Sequence, residues 1–245
     1  MSNPKLFIVA TPIGNLKDIT LRALETLREA DAILCEDTRV TRKLLAHYNI
    51  SKPLISYHQH SPERTYQKIA ALLGPGRQLA LVSDAGTPGI ADPGAHLVNY
   101  LRREVPEINI VPIPGPSALT AALSVAGIMQ NQFCFLGWPP HKKGRKTFFE
   151  HLAAIDMPVV FYESPHRITK TLDALEQVLG KEREIVLVRE LTKIHEEILL
   201  GGAADIKKQL ITEKQRGEFV LVIPFKPRKR RTESIKQAQT SNSNS

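Results

Sequence analysis

Cysteine is almost missing from this sequence. The 245 residues contain two, Cys35 and Cys134, with no Cys-x-x-Cys and no Cys/His spacing around either. A disulfide framework and a structural metal are therefore not expected. Long apolar runs are missing too, since no stretch approaches the ~20 residues that span a bilayer. The start, Met-Ser-Asn-Pro-Lys followed by the short run Leu6 to Ala10, lacks the apolar region and the small-residue cleavage site of a secretory signal. A cytoplasmic protein with no membrane partner is the expectation. Also absent are the G-x-G-x-x-G of a dinucleotide site and a P-loop with its lysine: the first apolar run ends instead in Thr11-Pro12-Ile13-Gly14-Asn15, which argues against NAD and ATP.

What is present is ordinary globular material, 42% apolar and 24% charged, in a chain long enough for two modest domains. The charge is uneven. Residues 226 to 245 carry six Lys or Arg and one Glu, so +5 of the total +8 sits there and the other 225 residues hold +3. A mildly basic body with a strongly basic end suits a polyanion such as nucleic acid, or else a solubilising tail. After Phe225 the composition turns to Lys, Arg, Ser, Asn and Gln, too poor in apolar surface to offset the entropy of ordering, and a disordered tail is expected over 226–245.

In the first half, Leu6 to Ala10, Ala32 to Cys35, Leu54 to Tyr57, Leu79 to Val82 and Ile110 to Ile113 read as strands. Leu21, Leu24 and Leu27 make one helical stripe, Val40, Leu44, Leu45 and Tyr48 another, and Ser61-Pro62 supplies an N-cap and a first-turn proline for a third. Strands separated by single helices imply a mainly parallel sheet covered on both faces. Pro112-Ile113-Pro114-Gly115-Pro116 cannot continue a helix or a central strand, and a domain boundary is expected there, giving an N-terminal α/β domain over 1–113 and a C-terminal one over 114–225. The second half reads as a helix from Ser117 to about Ala126, strands near Phe133 to Leu136, Val159 to Tyr162, Ile185 to Val188, Ile198 to Leu200 and Phe219 to Ile223, and helices near Lys146 to Ala154, Ile168 to Leu179 and Asp205 to Ile211. Glu196 to Leu200 follows its predecessor too closely for a helical crossover, so this sheet should be mixed. The fold class is α/β, with two α/β domains and a ligand cleft between them.

Ligands of doubly wound sheets lie beyond the carboxyl ends of the strands. There the fourth strand runs into Ser83-Asp84-Ala85-Gly86-Thr87-Pro88-Gly89-Ile90-Ala91-Asp92-Pro93-Gly94, where small residues let the backbone approach a ligand and prolines fix the loop beforehand. Gly115-Pro116-Ser117-Ala118 puts a helix N-terminus beside the same cleft. S-adenosylmethionine offers an adenine, a ribose, a carboxylate and a sulfonium but no phosphate, and backbone-rich loops from two domains suit it better than a phosphate cradle.

The ordered set Val9 to Leu16, Glu36-Asp37-Thr38-Arg39, Ser83 to Pro88, Pro112 to Ser117, Tyr162-Glu163-Ser164-Pro165-His166-Arg167 and Arg189-Glu190-Leu191-Thr192-Lys193 resembles the tetrapyrrole methylase superfamily, over residues 5 to about 225. Within it the Thr-Pro-Ile-Gly-Asn loop matches the RNA-modifying branch, which methylates the 2'-oxygen of cytidine 1402 in 16S ribosomal RNA, and departs from the glycine-rich, acid-ended loop of the tetrapyrrole-modifying members. The resemblance implies an S-adenosyl-L-methionine cofactor held by Pro12, Asp84, Ala85, Gly86, Thr87, Ile90, Ser117, Ala118 and Tyr162, a 16S rRNA substrate in the small ribosomal subunit, and a homodimer.

Methyl transfer to a ribose needs alignment and help for a poorly nucleophilic hydroxyl. The charged candidates are Glu36, Asp37, Arg39, Glu163, His166, Arg167, Glu190, Lys193 and His195, with Lys193 the first choice and Glu36 the comparison. Lys193 could serve as a base with a lowered pKa or as a charged stabiliser of an alkoxide; Glu36 and Glu190 could simply pair with arginines. Tyr57, His58 and His60 could stack on an unpaired base or be structural. His141-Lys142-Lys143-Gly144-Arg145-Lys146 could contact phosphate, form a mobile lid or be a solvated surface. A small-molecule tetrapyrrole methylase and a non-catalytic RNA-binding assembly factor are the alternative readings.

Overall fold

Ten strands form two five-stranded sheets in a computed structural model that describes residues 2–58, 61–210 and 216–225. The first sheet holds β1 (Lys5–Val9), β2 (Ala32–Cys35), β3 (Leu54–Ser56), β4 (Gln78–Leu81) and β5 (Asn109–Ile113), in the order β3-β2-β4-β1-β5. Every pairing in it is parallel. Its two faces are separate apolar layers because strand side chains alternate. Val9, Ile33 and Cys35 meet Ala23 and Leu27 of α1 (Leu21–Glu29) and Leu45 of α2 (Thr38–His47). Leu6, Leu34, Leu79 and Leu81 meet Ile69 of α3 (Glu63–Leu72) and Leu97 and Leu101 of α4 (Gly94–Glu104).

The second sheet holds β6 (Cys134–Phe135), β7 (Val159–Glu163), β8 (Glu184–Arg189), β9 (Glu197–Gly202) and β10 (Phe219–Ile223), ordered β6-β7-β10-β8-β9. It is mixed, as the short β8–β9 connection requires: β6 and β7 are parallel, and the other pairings antiparallel. Phe161, Leu187, Phe219 and Leu221 pack beneath α6 (Arg145–Ala154), α7 (Ile168–Leu179) and α8 (Ala203–Gln209). Val160, Val186, Val188, Val220 and Val222 face the opposite way, onto Ala122 of α5 (Ala118–Val125). The chain passes from the last strand of one sheet to a helix on the other through residues 114–117.

Three local expectations change. The α1 stripe is rotated: Leu21, the first residue after the Thr20 cap, is 80% exposed, and Ala23, Thr26 and Leu27 take the buried face. Ser61 does not cap α3; its hydroxyl accepts from the His58 amide at 2.8 Å, and Pro62 stands at the cap. The helix α4 was concealed in the sequence, since it begins inside the small-residue run at Gly94 and shows its Leu97/Leu101 spacing only further on. Residues 226–245, His60 and Ile211 lie outside the described residues. Among the described residues no helix is long and apolar enough to cross a membrane.

Candidate functional site

The loops after β1 and β4 are zipped together. Thr11 donates its amide to the Gly86 carbonyl at 2.9 Å, Gly86 returns the bond at 3.1 Å, and the Thr11 hydroxyl reaches the Ser83 carbonyl at 3.2 Å. Gly86 has φ +81°, a left-handed backbone that favours glycine, and a Cβ there would stand 3.3 Å from Ile13. Further along, one carboxylate oxygen of Asp92 accepts from the amides of Gly89 (2.6 Å) and Gly94 (2.8 Å), while Ala91 is held at φ +62°. Tyr57 braces this turn from beneath: it is 1% exposed and its hydroxyl donates to the Pro93 carbonyl at 2.7 Å. That burial removes Tyr57 as a stacking surface; its ring is structural. The loop is thus shaped before any ligand arrives, which lowers the ordering cost of binding.

Across from this loop lies the N-terminus of α5. Thr87 ties the two together through a 3.0 Å bond from its hydroxyl to the Pro116 carbonyl. Ser117 occupies the cap position but makes no side-chain capping bond; the Leu119 amide is taken by the Tyr162 phenol, which leaves the amide of Ala118, a cleft-lining residue, as the donor for a ligand.

Between these elements and the second sheet lies a cleft open to solvent on one side. Seven residues expected at a cofactor line it: Ala85, Gly86, Thr87, Ile90, Ser117, Ala118 and Tyr162. Pro12 and Asp84 do not. Ile13, one residue beyond Pro12, lines the cleft instead, and the Asp84 carboxylate turns away to accept from the Asp37 amide at 3.1 Å. The opposite wall, from the second sheet, is Trp138, Tyr162, Val188, Leu191, Phe219 and Val220, with Glu218 at its polar edge. Trp138 packs edge-on against Tyr162, ring centroids 5.3 Å apart. Burial pushes the Tyr162 phenol above its ordinary pKa, against a backbone hydrogen bond from Leu119 that works the other way. Trp138 and Glu218 escaped the sequence reading. The available signal was position: Gly137-Trp138 follows the end of β6, and Glu218 immediately precedes β10.

Lys193 sits where the β8–β9 loop meets the β1 loop. Its ammonium donates to Glu190 at 2.9 Å and to Glu218 at 3.1 Å. Glu190 (φ +52°) and Thr192 (φ +63°) both hold left-handed backbone, which turns this loop back on itself. The Glu190 carboxylate also accepts from the Glu218 amide at 3.1 Å, passing over Gly217, where any Cβ would collide with it. Gly14 is in similarly close contact with Leu191, Thr192 and Lys193. Burial works against the Lys193 charge, but the bonds and charges of Glu190 and Glu218 outweigh it, and the pKa stands above the usual lysine value. Lys193 is an ammonium, so of its two conceivable roles the charged one fits.

Glu36 follows β2 and lies in a separate small recess with Tyr57, Ser83, Pro88 and Asp92. Burial raises its pKa, and the charges of Asp84 and Asp92 add to that; His58 opposes them. Asp37 caps α2 by accepting from the Arg39 amide at 2.8 Å, and its exposed ion pair with Arg39 measures 2.6 Å. Bonds from Arg39 hold the Asp37 carboxyl well below the usual carboxylate range. Glu163 and Arg167 are joined in a buried ion pair on the far side of Tyr162, while His166 and His195 are exposed. In the 141–146 run, Lys142, Lys143 and Lys146 face solvent and Arg145 turns inward. Among the described residues no group of three or more His, Cys, Asp or Glu is placed to hold a metal ion.

Comparison with known proteins gives a consistent result. The Tetrapyrrole (Corrin/Porphyrin) Methylases family matches residues 5–207. A Haemophilus influenzae protein named ribosomal RNA small subunit methyltransferase I is 45% identical over 233 residues, 94% of this chain and 82% of its own length. Its Thermotoga maritima namesake is 44% identical over 222 residues, 91% of this chain and 99% of its own. Among solved structures, a diphthine synthase superimposes with TM-score 0.70 at 16% identity, covering 95% of each chain. A cobalt precorrin-4 methyltransferase of cobalamin biosynthesis gives TM-score 0.67 at 19% identity, over 90% of this chain and 94% of its own. At those identities the likeness is one of fold.

Proposed function

Because the chain belongs to the tetrapyrrole methylase family, we propose that it is an S-adenosylmethionine-dependent methyltransferase of small-subunit ribosomal RNA, acting on the 2'-oxygen of cytidine 1402 in 16S rRNA. The observation that carries this reading is identity near 45% along almost the whole chain to proteins named for small-subunit rRNA methylation. The cobalamin-pathway neighbour, at 19% identity, supports a shared fold and no more, so the tetrapyrrole alternative has no comparable support.

The cleft fits the cofactor chemically. Its aromatic and aliphatic wall suits an adenine, and the Ala118 amide at the start of α5 suits a ring nitrogen or a carboxylate. When bound, S-adenosylmethionine supplies a methyl group already activated by its sulfonium. The chain's own task is then alignment and electrostatics. Ala85 to Thr87 present backbone at close range. Lys193, kept charged by Glu190 and Glu218, stabilises negative charge developing on the ribose oxygen. Glu36, with its pKa raised by burial, is a better proton acceptor than an exposed carboxylate and is the second candidate for the chemistry.

Other parts of the reading follow. The domains divide at residues 113/114, and residues 226–245 form a basic tail that engages rRNA. The protein acts as a homodimer; apolar surface consistent with one includes Val125 on α5 and Ile198 and Leu200 on β9. Those two β9 residues pair in register with Val188 and Val186, and so share the face that α5 covers. Small subunits from a strain lacking the gene, incubated with the protein and the cofactor, should gain one methyl on the ribose of that cytidine by nucleotide-resolved mass mapping. A methyl on the base, or no incorporation into subunits or free 16S rRNA, would overturn the assignment.

A further inference from the structure

The segment that carries Trp138 has an unusual anchoring problem. The β6–β7 ladder continues as far as the Gly137 carbonyl, which accepts from the Tyr162 amide at 2.8 Å. Beyond it come Trp138, Pro139 and Pro140, and two consecutive prolines have no amide with which to fasten a turn. Two guanidinium groups fasten it instead, through its carbonyls. Arg167 donates to the Pro139 oxygen at 2.8 Å, and Arg145 to the Pro140 oxygen at 3.3 Å.

Both arginines are in turn held by one carboxylate. Glu163 is fully buried, immediately beyond Tyr162. One of its oxygens takes the Arg167 guanidinium at 2.8 Å and the Ser164 amide at 2.7 Å. The other accepts from the Thr171 hydroxyl at 2.6 Å and lies 3.4 Å from Arg145, which also donates to Thr171 at 2.5 Å. Buried charge persists where every lone pair and donor is met, and here the set is closed around the back of the Trp138 turn.

We infer that Glu163, Arg145 and Arg167 are positioning residues that fix Trp138 as the aromatic wall of the cofactor cleft. None of the three lines the cleft; they act through the Pro139 and Pro140 carbonyls. The inference rests on the cofactor reading only for what Trp138 contacts, not for the clamp itself. It also gives Arg145 a role distinct from that of Lys142 and Lys143 in the same basic run, since Arg145 serves the cleft from inside.

Trp138 is the one tryptophan of the chain, so its emission reports this wall alone. Glu163→Gln leaves two guanidiniums without their anion and could unfold the second sheet, so the gentler variants Arg167→Lys and Arg145→Lys carry the test. A lysine keeps the charge beside Glu163 but cannot also span to the proline carbonyl with the geometry of a guanidinium fork. Asp173→Asn, at an exposed pair with Lys207, is the control. In the full-length chain, both arginine variants should melt cooperatively, shift Trp138 emission to the red and raise its quenching by acrylamide, while the control does neither. The dissociation constant for S-adenosylmethionine should rise about tenfold, ~1.4 kcal/mol, with turnover at saturating cofactor near wild type. Unchanged emission and quenching in both variants would overturn the clamp. Altered emission with unchanged affinity would overturn its role in binding. Altered emission in a protein whose wild type binds no cofactor would leave the clamp standing and sink the cofactor reading instead.

Discussion

The two sides of the cleft are built from different materials. On the side of the first sheet the lining is largely backbone and small groups, from Ala85, Gly86 and Thr87 with Ile13 and Ile90 beside them, fixed by left-handed turns and by Asp92. On the side of the second sheet it is bulky side chains, Trp138, Tyr162, Leu191 and Val220, fixed by strand register and by ion pairs behind them. A backbone wall can donate and accept wherever an amide or carbonyl happens to point, and it suits the polar parts of a ligand. A side-chain wall excludes water and offers area, which suits a flat heterocycle. The charged candidates divide the same way. Lys193, beside the side-chain wall, is kept charged by two carboxylates; Glu36, in its recess just beyond β2, is pushed toward neutrality by burial and by neighbouring acids.

The sharpest way to break this comparison is at Lys193. Lys193→Ala should lower single-turnover methylation of the small subunit by roughly a hundredfold or more, the scale of a lost group acting in the transition state. Cofactor affinity, set by other residues, should stay near wild type in calorimetry. A variant with normal turnover would leave positioning as the only device and remove electrostatic assistance from this side of the cleft.

A smaller effect is expected at the backbone wall. Gly86→Val places a β-branched residue at φ +81° with Ile13 in contact, so the substitution carries strain on the order of 1–3 kcal/mol in addition to obstructing the cleft. Both a lower melting temperature and weaker cofactor binding should follow. If affinity is retained while the melting temperature falls, the β4 loop supports the sheet without touching the ligand.

These two walls were unequally legible in the sequence. Strand positions came from β-branched runs with little error: Ala32–Cys35 and Phe219–Ile223 fall at the expected residues. The Ser83 to Gly94 loop advertised itself because glycine and proline leave a signature that does not depend on tertiary context. Trp138, Leu191 and Glu218 gave no such sign, because their presence at the cleft depends on strand order in the second sheet, and order is decided by pairing across more than 50 residues in the case of β7 with β10. Helix faces failed for a related reason. The Leu21 side chain is apolar and correctly spaced, yet it stays 80% exposed, and periodicity alone cannot tell which of the spaced residues meets the sheet. Tyr57 illustrates the reverse, an aromatic at a strand end that looks available for stacking and is instead sealed beneath the Pro93 carbonyl.

The smallest effect concerns Glu36 and separates chemistry from stability. Its folded-state pKa is raised, first by burial and then by Asp84 and Asp92, above the usual glutamate value of 4.5. A group with a raised folded pKa contributes stability that is fully present below its unfolded pKa and is lost as pH rises through the folded one. At neutral pH the folded protein therefore carries an ionised Glu36 that its surroundings disfavour. Glu36→Gln removes that disadvantage. The variant should melt slightly above wild type at pH 7, and the difference should shrink as pH falls through the raised folded pKa and be gone below 4.5. Stabilisation of this kind by removing a charged group is expected where a site is arranged for activity and not for stability. If the same variant is also slower in single turnover, with cofactor affinity intact, Glu36 acts on the ribose hydroxyl from its recess beyond β2. A melting difference that does not vary with pH would mean that Glu36 is paired and ionised without cost, and its part in proton removal would then have to be given up.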